Sequence, residues 1–80
     1  MPTVFELFGI RAFIIPGDHE PIHIHVEAGG GFAKIQVVPD IRIIKQDGIK
    51  PAKMKKILNL VSNFKDEIEE VWKANNSFYK

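Results

Sequence analysis

The spacing of apolar residues changes once along this 80-residue chain, at Gly48. Before Gly48, apolar and polar residues alternate in short runs, a pattern typical of strands that pack on one face. After it, apolar residues recur every three or four positions from a start marked by Pro51, which is typical of a helix. A chain of this length supports one core, so the apolar side of the helix must cover the sheet. The sequence therefore predicts a single α+β domain over residues 1–80.

Turn-forming residues divide the first half of the chain into strands. Proline fixes φ and glycine allows positive φ, so the runs should end where these residues cluster. The clusters are Pro16-Gly17, Gly29 to Gly31, Pro39-Asp40 and Asp47-Gly48. We therefore predict an antiparallel sheet of three to four strands, covered on one face by C-terminal helix. The predicted strands lie at about 8–15, 21–28, 32–38 and 41–45, and the helix at about 51–62 and 64–75.

The predicted helix is long for this sheet. Uninterrupted from Pro51 to Asn75, it would measure about 37 Å at 1.5 Å per residue, whereas strands of six or seven residues span about 20–23 Å. We predict that the helix breaks near Ser62-Asn63. The alternative is that its second half extends beyond the sheet and is covered by another copy of the chain. That alternative is a structural homodimer joined through Ile68, Val71 and Trp72.

All three histidines of the chain fall within seven positions, in and just before the second predicted strand. Side chains alternate between the two faces of a strand. Three apolar residues should therefore point into the core (Ile22, Ile24 and Val26), and three polar residues should share the other face (His23, His25 and Glu27). Imidazoles beside a carboxylate resemble the ligand set of a divalent metal ion such as zinc, iron, copper or nickel. With Asp18 close by across the turn, the candidate ligands are His23, His25, Glu27 and Asp18.

The same histidines allow two other interpretations. Histidine changes charge near neutral pH, so one ring could act as general base and another as general acid in RNA cleavage; the candidates are His23, His25 and His19. Alternatively, the rings pack in the sheet and form hydrogen bonds to the backbone without any chemistry. The run His-Ile-His-Val resembles the start of the histidine-triad signature of nucleotide hydrolases and transferases. Glu27 stands where the third histidine would follow, and the chain is too short for that fold.

Cations are concentrated in one segment, although the net charge is only +1. Between Arg42 and Lys56 there are six cations and a single acidic residue, Asp47. Lysines in the first helical turns oppose the helix dipole at about 0.3–1 kcal/mol per charge, and this cost favours a role in binding. The segment could follow a phosphate backbone or contact a partner protein, or it could be an ordinary solvated surface. The residues predicted to bind are Arg42, Lys45, Lys53, Lys55 and Lys56.

Composition also predicts the compartment. The chain has no cysteine, and a small domain without disulfides is typical of a reducing environment. No apolar stretch approaches the roughly 20 residues that a membrane span requires, and no signal sequence is recognisable at the N-terminus. We expect a cytoplasmic protein that does not contact the membrane.

A longer pattern joins Gly9-Ile10, the run from Asp18 to Val26 and the helix from Pro51 to near Trp72. This pattern resembles the small bacterial family called domain of unknown function 4160, whose signature is Asp-His-x-Pro-Pro-His-Phe-His. Here Ile22 and Ile24 replace the second proline and the phenylalanine, and both keep an apolar residue on the inward face.

The resemblance implies a function as well as a fold. Family members are often encoded beside another small protein, and the pair is thought to form a toxin–antitoxin-like module. It therefore implies a component that binds a partner protein or nucleic acid. The resemblance identifies no catalytic residue in this chain. The alternatives that the residues themselves leave open are a nuclease that depends on a divalent metal or on histidine, and a structural homodimer.

Overall fold

The computed structural model describes residues 2–76. Five antiparallel strands form one sheet in chain order, and two helices follow them. The α+β class and the antiparallel sheet are as predicted, and the sheet has one strand more than expected. The predicted domain, 1–80, also includes residues 1 and 77–80, which lie outside the described residues. The strands are β1 (Thr3–Leu7), β2 (Ile10–Phe13), β3 (His23–Ala28), β4 (Gly31–Gln36) and β5 (Arg42–Asp47), and the helices are α1 (Pro51–Asn63) and α2 (Lys65–Ala74).

The prediction of a first strand at 8–15 is wrong in its bounds: the strand there is β2, Ile10–Phe13, and the unpredicted strand β1 precedes it. Phe8 and Gly9 form a tight turn between β1 and β2, with φ values of 54° and 72°. Two-residue hairpin loops commonly need positive φ at both positions. Phenylalanine rarely adopts such a conformation, so the sequence gives little sign of a turn here. Leu7 pairs with Ile10 across this turn, and β2 ends at Phe13.

The helical region breaks where the length argument requires it. Phe64 separates α1 from α2, one residue beyond the predicted Ser62-Asn63, and its ring stacks on Phe5 of β1 at 4.7 Å. After the break, Ile68 and Trp72 are fully buried within the same chain. Ile68 and Trp72 therefore need no second chain to cover them, which removes the reason for expecting an overhanging helix.

The core contains alternate residues of the strands and the buried residues of both helices. Ile24 and Val26 of β3 are buried, as predicted, together with Ile57 of α1 and Ile68 of α2. The other side of β3 is less uniform than predicted: Glu27 is exposed and His25 half-buried, but His23 is buried. Neither helix within residues 2–76 has the length and apolar character to cross a membrane.

Candidate metal centre

Three side chains converge at the N-terminal end of β3. His23 and His25 are two positions apart on this strand, and Asp18 comes from the preceding loop, where its N–H donates to the Ile15 carbonyl at 3.2 Å. One oxygen of Asp18, Oδ2, lies 2.8 Å from Nε2 of His23 and 3.0 Å from Nε2 of His25. One ligand atom from each of the three residues lies within 4.8 Å of the others. We call Asp18, His23 and His25 the histidine–aspartate cluster.

The position of the His23 proton follows from its second contact. Nδ1 of His23 lies 2.8 Å from the backbone carbonyl oxygen of Pro21. A carbonyl oxygen can only accept, so Nδ1 carries a proton and donates it. In a neutral ring the other nitrogen, Nε2, then presents a lone pair, which faces the carboxylate oxygen of Asp18. Two acceptors face each other at 2.8 Å, so this geometry requires either a shared proton, carried by His23 or by Asp18, or a metal ion that both atoms ligate.

The cluster is partly open to solvent. The exposed fractions are 6% for the His23 side chain, 20% for His25 and 25% for Asp18. Burial raises the pKa of the Asp18 carboxyl, but the hydrogen bonds from His25 and His23 and the charges of both rings lower it, and the net pKa lies below its usual value of 3.8. Asp18 is therefore an anion at neutral pH, and solvent can reach it and His25.

Aromatic side chains fix the orientation of both imidazole rings. The indole of Trp72 on α2 contacts the His23 ring edge-on, with centroids 5.1 Å apart. Phe13 of β2 stacks on His25 at 5.6 Å, and the Arg11 guanidinium lies 4.6 Å from the centre of the Phe13 ring. Rings held in this way present their Nε2 atoms in a fixed direction, which lowers the entropic cost of binding an ion.

Two sequence-predicted site residues lie outside the cluster. Glu27 is exposed, and its carboxylate pairs with Arg11 at 3.2 Å. His19 is also exposed, and it is absent from the set of converging ligand atoms within residues 2–76. Asp18, which the sequence placed only near the strand, supplies the carboxylate.

The predicted basic residues on β5 each have a local contact. Arg42 donates to the carboxylate of Asp40 at 2.8 Å, and both side chains are more than half exposed. Lys45 places its Nζ 5.8 Å from the ring centre of Phe32 on β4. The contact with Asp40 neutralises Arg42, whereas the contact with Phe32 leaves the charge of Lys45 uncompensated.

The other predicted basic residues lie on α1, beside the turn between β1 and β2. Lys53 donates to the backbone carbonyl of Phe8 at 3.2 Å, and Nζ of Lys56 lies 4.9 Å from the ring centre of Phe8. Lys55 is exposed. Lys53 and Lys56 contact a different part of the sheet from Arg42 and Lys45, so the basic segment of the sequence divides between two places in the fold.

Sequence reasoning missed one cation beside the cluster. Lys34 of β4 is paired with His25 of β3 on one side and with Lys45 of β5 on the other. The signal for this neighbour was present, because the two-residue loop Gly29-Gly30 joins Ala28 directly to its partner Gly31. Counting outward from that pair places Lys34 opposite His25.

Comparison with known proteins gives a family. The family described as Domain of unknown function (DUF4160) matches residues 9–73, a range that includes the whole histidine–aspartate cluster. No curated protein and no solved structure matches the chain. The chain belongs to the DUF4160 family, as its sequence pattern predicted.

Proposed function

We propose that this DUF4160 protein binds a divalent transition-metal ion through Asp18 Oδ2, His23 Nε2 and His25 Nε2. The observation that carries the proposal is the hydrogen bond from His23 Nδ1 to the Pro21 carbonyl. Histidines that ligate metals usually donate their other ring N–H to a carbonyl or carboxylate, which fixes the tautomer and directs the lone pair at the ion. His23 has this arrangement, and its lone pair faces the other two ligand atoms.

The chemistry of the ligands limits which ions fit. Two imidazoles and one carboxylate suit zinc, nickel, iron or manganese, while the absence of sulfur disfavours copper(I). Three protein ligands leave further coordination positions for water or substrate, as in catalytic zinc sites. The open side of the cluster, at His25 and Asp18, is where such a molecule would enter.

A bound ion of this kind supplies Lewis acidity and lowers the pKa of coordinated water towards neutrality. The reaction class that this chemistry supports is hydrolysis of an ester or phosphodiester. Here the chain would hold the ion and orient both rings through Trp72 and Phe13.

Metal uptake by protein without a purification tag tests the proposal. After removal of metal with a chelator, equilibrium dialysis and calorimetry at pH 7.5 should show one zinc, nickel or manganese ion per chain. His25→Ala should abolish uptake. His19→Ala is the matched control and should bind as the wild type does, because His19 is exposed and outside the cluster.

Two outcomes would end the metal hypothesis. One is wild-type protein that takes up no ion in either assay, with nuclear magnetic resonance showing a proton on both nitrogens of His23. In that case the second proton is the shared proton that the geometry requires. The other is His25→Ala protein that binds metal as tightly as His19→Ala protein.

A partner-binding role in a two-protein module is a second candidate, favoured by β5. This strand is at the edge of the sheet, and all six of its residues are exposed, including Ile43 and Ile44 at 42% and 47%. An exposed strand edge with apolar side chains can accept a strand from another protein. We propose as that partner a small protein encoded beside this one, the gene arrangement that the family resemblance implies, with both acting in the cytosol.

Calorimetric titration with the purified neighbouring protein tests this second candidate. Ile44→Lys should abolish binding, whereas Leu7→Lys on the opposite edge strand, β1, should not. If both variants bind as the wild type does, β5 is not the interface. Loss of binding in His25→Ala protein would instead assign the interaction to the histidine–aspartate cluster.

A further inference from the structure

The strand register places two lysines next to the histidine–aspartate cluster. His25 of β3 is paired with Lys34 of β4, and Lys34 is paired with Lys45 of β5. Paired residues in a sheet project from the same face, and neighbouring strands lie about 4.8 Å apart. The three side chains therefore form a row across three strands, with a ligand of the proposed metal ion at one end.

The two lysines in this row repel each other. Like charges directly opposite on adjacent strands are destabilising, and within residues 2–76 neither Lys34 nor Lys45 forms an ion pair with a carboxylate. Lys34 is also half-buried. The neighbouring cations Arg11 and Arg42 differ from these lysines in having a carboxylate partner: Arg11 pairs with Glu27, and Arg42 pairs with Asp40. An anion bound between Lys34 and Lys45 would remove the repulsion.

An exposed aromatic ring lies beside the lysine pair. Phe32 is two residues before Lys34 on β4 and is therefore on the same face, roughly 7 Å along the strand. Phe32 is 42% exposed, and Lys45 Nζ lies 5.8 Å from the centre of its ring. Its register partners on the two neighbouring strands are Glu27 and Asp47, so a phosphate is favoured beside Lys34 and not beside the ring. Aromatic rings beside cations on an open sheet face are how proteins bind single-stranded nucleic acid, by stacking bases and neutralising phosphates.

We infer that the open face of the sheet binds single-stranded nucleic acid, with a base stacked on Phe32 and a phosphate held by Lys34 and Lys45. His25 lies next to Lys34 in the same row, so the histidine–aspartate cluster is beside the bound strand. The role of the cluster as a reaction site rests on the metal site proposed above, whereas the binding step does not require the ion. Unpaired bases are required because a base in a duplex cannot expose its face to Phe32.

Charge reversal at Lys34 gives the sharpest test. Fluorescence anisotropy with a labelled 12-nucleotide single strand, as RNA and as DNA, is measured in chelator over a series of salt concentrations that starts at low salt. Lys34→Glu should weaken binding about tenfold or more and reduce the slope of log K against log salt by about 1. Its melting temperature should not fall, because the substitution converts a like-charge pair into an opposite-charge pair. Weaker binding by a protein that is no less stable cannot be attributed to misfolding.

Three further variants complete the test. Lys73→Glu is the control: it carries the same charge change at an exposed position on α2 and should bind within twofold of the wild type. Phe32→Ala should lose about 5- to 150-fold in affinity for the single strand, the range for loss of one stacked base. Equal affinity for duplex and single strand, with no effect of Phe32→Ala, would overturn the stacking role. Loss in Lys55→Glu but not in Lys34→Glu protein would move the interface to α1.

The proposed metal site and the proposed nucleic-acid binding can be refuted independently of each other. Protein that binds the single strand in chelator but takes up no metal would refute the metal site alone. Protein that takes up metal but binds neither RNA nor DNA would refute this inference alone.

Discussion

Replacement of His23 and of His25 by alanine should destabilise the protein by very different amounts, although both are proposed ligands of one ion. His23 is 6% exposed and makes two hydrogen bonds of 2.8 Å, to Pro21 and Asp18, as well as its edge contact with Trp72. Two lost bonds at about 1 kcal/mol each, together with the cavity left beside Trp72, give about 2–4 kcal/mol. His25 is 20% exposed and makes a single bond of 3.0 Å, which gives about 1 kcal/mol.

Thermal unfolding in chelator measures this difference. For a domain of this size, 1 kcal/mol shifts the melting temperature by about 4–8 °C. His23→Ala should therefore lower it by about 8–30 °C, and His25→Ala by about 4–8 °C.

Addition of zinc separates packing from ligation. At 100 times its dissociation constant, zinc should stabilise the wild type by about 2.7 kcal/mol, which corresponds to about 11–22 °C. Both alanine variants should lose most of this gain, and His19→Ala should keep it. The reasoning would be refuted if His25→Ala were as destabilising as His23→Ala in chelator, or if His25→Ala retained the full gain from zinc.

Three further predictions concern the fold and its pH dependence. Gly31→Ala should lower the free energy of unfolding in urea by about 2–4 kcal/mol, because the new Cβ would lie 2.5 Å from the Gly48 carbonyl oxygen. Gly29→Ala should lower it by only about 1–2 kcal/mol, because its positive φ is the sole source of strain. Ile68→Ala should cost about 2–5 kcal/mol without changing the molar mass measured by light scattering, because Ile68 is buried within one chain; a dimer that it converts to monomer would contradict this. The lowered pKa of Asp18 stabilises the folded state fully above about pH 4, and this contribution is lost as the pH falls through the folded-state pKa. In chelator, the free energy of unfolding of the wild type should therefore fall more steeply with decreasing pH below pH 4 than that of Asp18→Asn. Equal slopes for the two proteins would contradict the pKa shift.

Local pattern was enough for most of the fold. Alternation predicted β3 and β4, the turn residues around a short β-branched run predicted β5, and the three- and four-residue spacing predicted the helices. The mismatch in length between helix and sheet predicted the break that occurs at Phe64. The strand β1 was missed because its turn uses a phenylalanine with positive φ, a conformation that propensities do not favour for this residue.

For the candidate site, the sequence predicted the two histidines but could not identify which carboxylate joins them. The alternation within β3 places His23 and His25 on one face whatever the rest of the chain does. The choice of carboxylate depends on how the loop before β3 folds, and it brings Asp18 to both rings while Glu27 pairs with Arg11.

The sequence alone thus determined the two-sided strand with its pair of histidines, because side-chain alternation is a property of the local backbone. Only the tertiary structure decided that His23 is buried against Trp72, 49 positions away, and that Lys45 lies beside Lys34. Contacts of this kind depend on strand register and helix packing, which are set by the core as a whole.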